Sequence, residues 1–148
     1  MFKGKTVLIT GATSGIGEAL AEAFHAKGAF LLLTGRYEEK LKKLEDFYGS
    51  RNCAIAVMDM ANEKSIDSVT AGLLANHPVI DILINNAGVS QRSLVADTKT
   101  QVYRDLMEVN FFGPVKLASL ILPGMLERKS GHIVAISSVI GKFATPMR

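Results

Sequence analysis

Residues 10–17 read TGATSGIG: Thr10, Gly11, Ala12, Thr13, Ser14, Gly15, Ile16 and Gly17. Before them, the apolar run from Thr6 to Thr10 predicts a β-strand. After them, Ile16, Leu20, Ala23 and Phe24 share one face of a helix predicted from about Gly15 to Lys27, with Gly28 ending it. A glycine turn joining a strand to a helix lets the backbone pass close to a diphosphate at a helix N-terminus. Gly11 allows the tight turn, while Gly15 and Gly17 allow close approach and packing. No Lys-Ser/Thr pair follows the last glycine, so the turn is not a P-loop.

Working outward, the same β-turn-α unit repeats. Ala29 to Thr34 is continuously apolar, as a strand covered on both faces should be, and Leu41, Leu44 and Phe47 or Tyr48 then recur at helical spacing. Cys53 to Met58 predicts a third strand, leading to a helix capped by Asn62 with Ile66, Val69 and Leu73 inward. Asp81 to Ile84 predicts the fourth. Thr98-x-x-Gln101 has the form of a capping box opening a helix to about Arg128, bent or segmented at Pro114 and Pro123. His132 to Ser137 predicts the fifth strand. Alternating units of this kind imply an α/β fold: a Rossmann-type doubly wound parallel sheet with strand order 3-2-1-4-5 and ligands at the carboxyl ends of the strands.

Composition adds bounds. The chain has 148 residues, 48% of them hydrophobic and 21% charged, which suits a packed domain and excludes a disordered one. A net charge of +3 is spread over mixed clusters such as Glu38-Glu39-Lys40, so no nucleic-acid partner is read from charge. The one cysteine, Cys53, allows no internal disulfide and sits among apolar neighbours. His25, His77 and His132 have no metal-ligand spacing, and no metal is expected. Without a leader-like N-terminus or about eighteen uninterrupted apolar residues, a cytoplasmic location and no membrane partner are expected.

The unusual motifs all fall at one edge of the expected sheet. Nineteen positions after Gly17, where an acid would hold the adenosine ribose 2′-hydroxyl of NAD, stands Arg36. A guanidinium there suits a 2′-phosphate, hence NADP(H) with NAD(H) as the alternative; a solvated arginine opening the next helix is the plain reading. Asp59 and the run Asn85-Asn86-Ala87-Gly88 read equally well as turn residues on their own.

Together these residues resemble the short-chain dehydrogenase/reductase family. The family pattern TGxxxGxG matches Thr10 to Gly17, and the adenine-contacting acid matches Asp59 with Met60. NNAG matches Asn85 to Gly88, the helix asparagine matches Asn110, and Gly-x-Ile-Val-x-x-Ser-Ser matches Gly131 to Ser138. The resemblance implies hydride exchange between a nicotinamide cofactor and a small carbonyl or alcohol. Gly11, Thr13, Ser14, Gly15, Ile16, Gly17, Arg36, Asp59, Met60, Asn86, Ala87 and Gly88 would bind the cofactor. Ser138 would orient the substrate oxygen, Ser137 would cap backbone, and Asn110 would hold a water.

The family's helix also implies a homo-oligomer, dimer or tetramer, with Met107, Leu117, Leu120, Leu122 and Met125 as core or subunit contacts. The family's Tyr-x-x-x-Lys acid/base pair falls beyond Arg148, and Tyr37, Tyr48 and Tyr103 are not in that pattern. Residues 1–148 are therefore read as a dinucleotide-binding Rossmann domain without the family's C-terminal strands and helices. A catalytically inactive nucleotide-binding or interaction module is the alternative if the chain ends there. Near the serines, the substrate-side surface would run over Val89 to Arg92 and Val139 to Phe143.

Overall fold

The computed structural model describes residues 2–142. Five strands, β1 (Thr6–Thr10), β2 (Phe30–Gly35), β3 (Cys53–Val57), β4 (Ile82–Asn85) and β5 (His132–Ala135), form one sheet in the order β3-β2-β1-β4-β5. Each pairing is parallel. The doubly wound architecture expected from the βα repeat is therefore present.

Period-two alternation sends β1 side chains to two separate cores. Val7 and Ile9 join Leu31, Leu33, Ala21 of α1 (Gly15–His25) and Leu41 and Tyr48 of α2 (Glu38–Tyr48). On the other face Leu8 and Leu32 meet Ile66 and Leu73 of α3 (Glu63–Asn76) and Leu117, Ile121 and Met125 of α5 (Gly113–Glu127). Both faces are covered, which is why β1 and β2 are continuously apolar. Each fully buried leucine or isoleucine here contributes about 1.5–3 kcal/mol. Cys53 lies in the first core, where burial, then the charge of Glu45, pushes its thiol up to about 12.

Several local expectations hold. Asn62 caps α3, its Oδ1 accepting the Ser65 amide at 3.2 Å. On α2 it is Tyr48 that turns inward, while Phe47 is exposed. The capping box at Thr98 does not form: α4 (Thr100–Met107) starts from Lys99 with no side-chain cap. The Thr98 hydroxyl instead donates 2.7 Å to the Leu94 carbonyl, closing a short 3-10 turn at Val95–Asp97, and Gln101 donates to Asp105. The helix starts from Lys99, so Thr98 stands one residue outside the capping position.

Between α4 and α5 the chain passes through a π-turn at Glu108–Phe112, in which the Gly113 amide bonds the Glu108 carbonyl. Pro114 sits in the first turn of α5 and Pro123 is accommodated inside it. The interruption therefore falls before Pro114 and not at Pro123. By length and composition the continuous segment Thr100–Glu127 could cross a membrane. Its inward residues Leu117, Ile121 and Met125 pack on the sheet, while Met107 and Leu122 are exposed.

Candidate functional site

A cleft of about 290 Å3 opens at the carboxyl edge of the sheet. The turn after β1 supplies Gly11, Thr13, Ser14 and Ile16; the end of β2 supplies Arg36; the turn after β3 supplies Asp59 and Met60; and the turn after β4 supplies Asn86, Ala87 and Gly88. Four separate strand ends thus converge on one space. Two members of the predicted set do not line it. Gly15 adopts φ +58, which favours glycine, and Gly17 packs behind the turn.

The floor of this cleft is held together so closely that side chains are excluded. A Cβ on Gly11, whose φ is +65, would lie 2.8 Å from the Ala87 Cα, and one on Gly17 would lie 2.3 Å from the Gly11 carbonyl oxygen and 2.6 Å from Asn86 Nδ2. Asn86 Nδ2 donates to the carbonyls of Thr10 at 3.0 Å and Gly11 at 3.2 Å. Thr10 Oγ1 accepts the amides of Asn86 at 3.0 Å and Ala87 at 2.9 Å while donating to the Ile84 carbonyl. Thr10 is thus the hub of the β1 and β4 turns, a role sequence reasoning missed. Its signal was a polar residue at the end of a wholly apolar buried strand.

Asp59 caps its turn and also faces the cleft. Its Oδ1 accepts the Ala61 amide at 3.0 Å, the turn-capping role, and the residue also lines the cleft. Its own amide donates to Ser65 Oγ at 3.1 Å, which ties the turn to α3.

A second cleft, of about 440 Å3, adjoins the first through Asn86 to Val89 and brings Ser138 and Asn110 to one wall set with Pro114. Ser138, expected to meet the substrate oxygen, also caps backbone. Ser138 Oγ itself accepts the Ile140 amide at 3.2 Å and caps a 3-10 turn over Val139–Gly141, because Ser138 is the extended residue that starts that turn. A hydroxyl that accepts through a lone pair keeps its proton to donate elsewhere.

Asn110 is also more constrained than its motif suggests. Its Oδ1 accepts the Val89 amide at 2.9 Å and its Nδ2 donates to the Val89 carbonyl at 2.8 Å. The side chain is therefore occupied in clamping the β4 turn. Its main-chain carbonyl is different: the α-helical donor would be the amide four residues on, and Pro114 has none. Of the three tyrosines, Tyr37 lines the first cleft, Tyr48 is in the core and Tyr103 is on α4; none lines the Ser138 cleft. Phe143, the end of the expected substrate-side surface, lies outside the described residues.

This geometry has relatives. Residues 5–148 match the short chain dehydrogenase family. The chain belongs to that family. A Danio rerio protein, dehydrogenase/reductase SDR family member 7B, is 44% identical over 153 residues, covering 97% of this chain and 49% of the relative. A crystallised short-chain dehydrogenase from Streptomyces avermitilis superposes with a TM-score of 0.92 at 38% identity, over 97% of this chain and 52% of that one. The closed form of a serine dehydrogenase complexed with NADP+ superposes at 0.90 with 36% identity, over 96% and 57%. The chain spans about half the length of the curated relatives it matches. Within the short-chain dehydrogenase fold, the two clefts occupy the carboxyl ends of the strands, the position where doubly wound sheets bind ligands.

Proposed function

We propose that this chain forms the cofactor-binding part of an oxidoreductase that transfers a hydride between NADP(H) and a small carbonyl or alcohol substrate. The observation that carries the reading is the convergence of ten predicted cofactor residues, from Gly11 to Gly88, on one cleft where Gly11 leaves no room for a side chain. Such a cradle fits a dinucleotide, because the diphosphate needs backbone amides at close range and the left-handed turn at Gly11 can present them. When bound, NADP(H) supplies or takes up the hydride.

The chain's own groups prepare the rest of the site. Arg36 at the end of β2 offers a planar, permanently charged fork for the 2′-phosphate, and no acid stands there to select the 2′-hydroxyl of NAD(H). The O–H of Ser138 would donate to the substrate oxygen and stabilise negative charge developing on it. Asn110 holds the β4 turn through Val89, and its carbonyl, which Pro114 leaves without an α-helical donor, would accept from an ordered water. The reading extends to residues 1–148 acting as a dinucleotide-binding domain, in the cytoplasm. A homo-oligomer would form through the exposed apolar residues Phe112, Val115 and Leu126 of the long helix.

Titration of the full-length protein with NADPH and NADH tests the cofactor reading. NADPH should bind at least about tenfold more tightly, and Arg36→Ala should remove most of that preference. Tighter NADH binding, or a ratio indifferent to Arg36→Ala, would reject NADP(H). Failure to bind either nucleotide would reject the cleft assignment itself.

A further inference from the structure

At the rim of the first cleft, beyond Arg36, the ring of Tyr37 is half exposed and is approached by two cations. The Arg36 Cζ lies 5.8 Å from the ring centroid, and Lys40 Nζ, one turn into α2, lies 5.5 Å from the same centroid. Both are within the roughly 6 Å over which a cation is attracted to an aromatic face. Among the described residues neither cation has a salt-bridge partner.

The neighbouring acids are engaged elsewhere. Glu38 is tied to Lys42 at 2.7 Å, and that hydrogen bond, followed by the Lys42 charge, lowers its pKa. Glu39 also acts on Lys42. Tyr37 is the N-cap of α2 yet makes no side-chain cap bond, so the first-turn amides have no side-chain acceptor. Two cations thus approach one ring at this rim.

We infer that Lys40 is a second specificity-determining cation for the adenosine 2′-phosphate, with Tyr37 as the platform that keeps Lys40 and Arg36 at the same rim. The inference rests on the NADP(H) reading above and names a further residue of that site. A phosphate monoester carries about −1.5 to −2 charges near neutral pH and is attracted by both cations, whereas a ribose hydroxyl brings no charge. Arg36 supplies the bidentate fork; Lys40 supplies a mobile point charge. Ring contact with Tyr37 restricts both long side chains before the nucleotide arrives, which reduces the ordering cost on binding.

Adenosine 2′,5′-bisphosphate and 5′-AMP differ only in the 2′-phosphate, so calorimetric binding of each to the full-length protein isolates this subsite. The unmodified protein should prefer the bisphosphate. Lys40→Ala should reduce that preference by about fivefold, with 5′-AMP affinity unchanged, and Lys40→Arg should restore it. Tyr37→Ala should lower bisphosphate affinity while Tyr37→Phe retains it. A preference that survives Lys40→Ala but collapses in Arg36→Ala overturns the inference and leaves the NADP(H) reading standing. No preference in the unmodified protein overturns both.

Discussion

The floor of the first cleft and the β5 edge of the sheet belong to the same five-stranded sheet, yet they are built in opposite ways. At the cleft, Val7, Leu8 and Ile9 are wholly buried, Gly11 and Gly17 pass other backbone at distances that admit no Cβ, and Thr10 joins two turns. Along β5, His132 to Ala135 are all exposed, and Gly141 beyond them has open space around its Cα. Parallel pairing with β4 is present in both, so hydrogen bonding does not separate them. What separates them is coverage: helices lie over both faces of β1, while β5 has its side chains in solvent. The close-packed geometry of the cleft floor is therefore a property of the packed interior.

The contrast can be broken most severely at Gly17. Gly17→Ala places a methyl group 2.3 Å from a carbonyl oxygen that Asn86 also uses, so neither neighbour can yield cheaply. We expect about 4 kcal/mol of destabilisation or outright loss of folding, read by chemical denaturation. Gly141→Ala, the same chemical change at the uncovered end, should stay within about 0.5 kcal/mol. Equal effects at the two positions would remove the distinction drawn above.

Cavity formation gives the next largest contrast. Leu117 is fully buried under the sheet, and Leu117→Ala should cost about 3 kcal/mol. Ile133 on β5 is 41% exposed, and Ile133→Ala should cost well under half as much in the same denaturation assay.

A smaller effect than either large loss lies at the amino ends of β1 and β4, where Lys5 Nζ meets Asp81 Oδ1 at 2.8 Å and the Thr6 amide donates 2.9 Å to Oδ2. Partial burial raises the Asp81 pKa, but the Lys5 hydrogen bond, the Thr6 amide and the charges of Lys5 and Arg128 together bring it below the ordinary carboxylate value. A carboxyl with a depressed folded pKa stabilises the fold above its unfolded pKa, and that stability is lost as pH falls through the folded value. Asp81→Asn should therefore cost about 1 kcal/mol at neutral pH, and the gap to the unmodified protein should close as the solution is acidified below the carboxylate range. A gap that widens on acidification would show that the carboxylate is not stabilising.

Much of this was legible from the chain alone. The strand order follows from the βα repeat, and the cleft follows from the fact that TGATSGIG, Arg36, Asp59 and NNAG all sit at strand ends. Local competition was not legible. Thr98 had the residue spacing of a capping box, but α4 starts from Lys99 and the Thr98 hydroxyl donates to the Leu94 carbonyl. The pair of serines gave no means of deciding which would meet backbone, since that depends on where the 3-10 turn after β5 begins. Nor could the pattern Val109-Asn110-Phe111 reveal that both ends of the Asn110 amide engage Val89, twenty-one positions earlier in the chain.

Sequence by itself determined the period of the apolar residues, the placement of glycines and the absence of an acid at position 36, because these are properties of single residues and their spacing. Only the tertiary structure decided which polar groups spend their hydrogen bonds on the fold. Thr10, Asn86 and the Asn110 side chain are engaged internally; among the described residues Arg36 and Lys40 have no salt-bridge partner. That division depends on distances between turns far apart along the chain, and those distances exist only once the sheet has assembled between its helices.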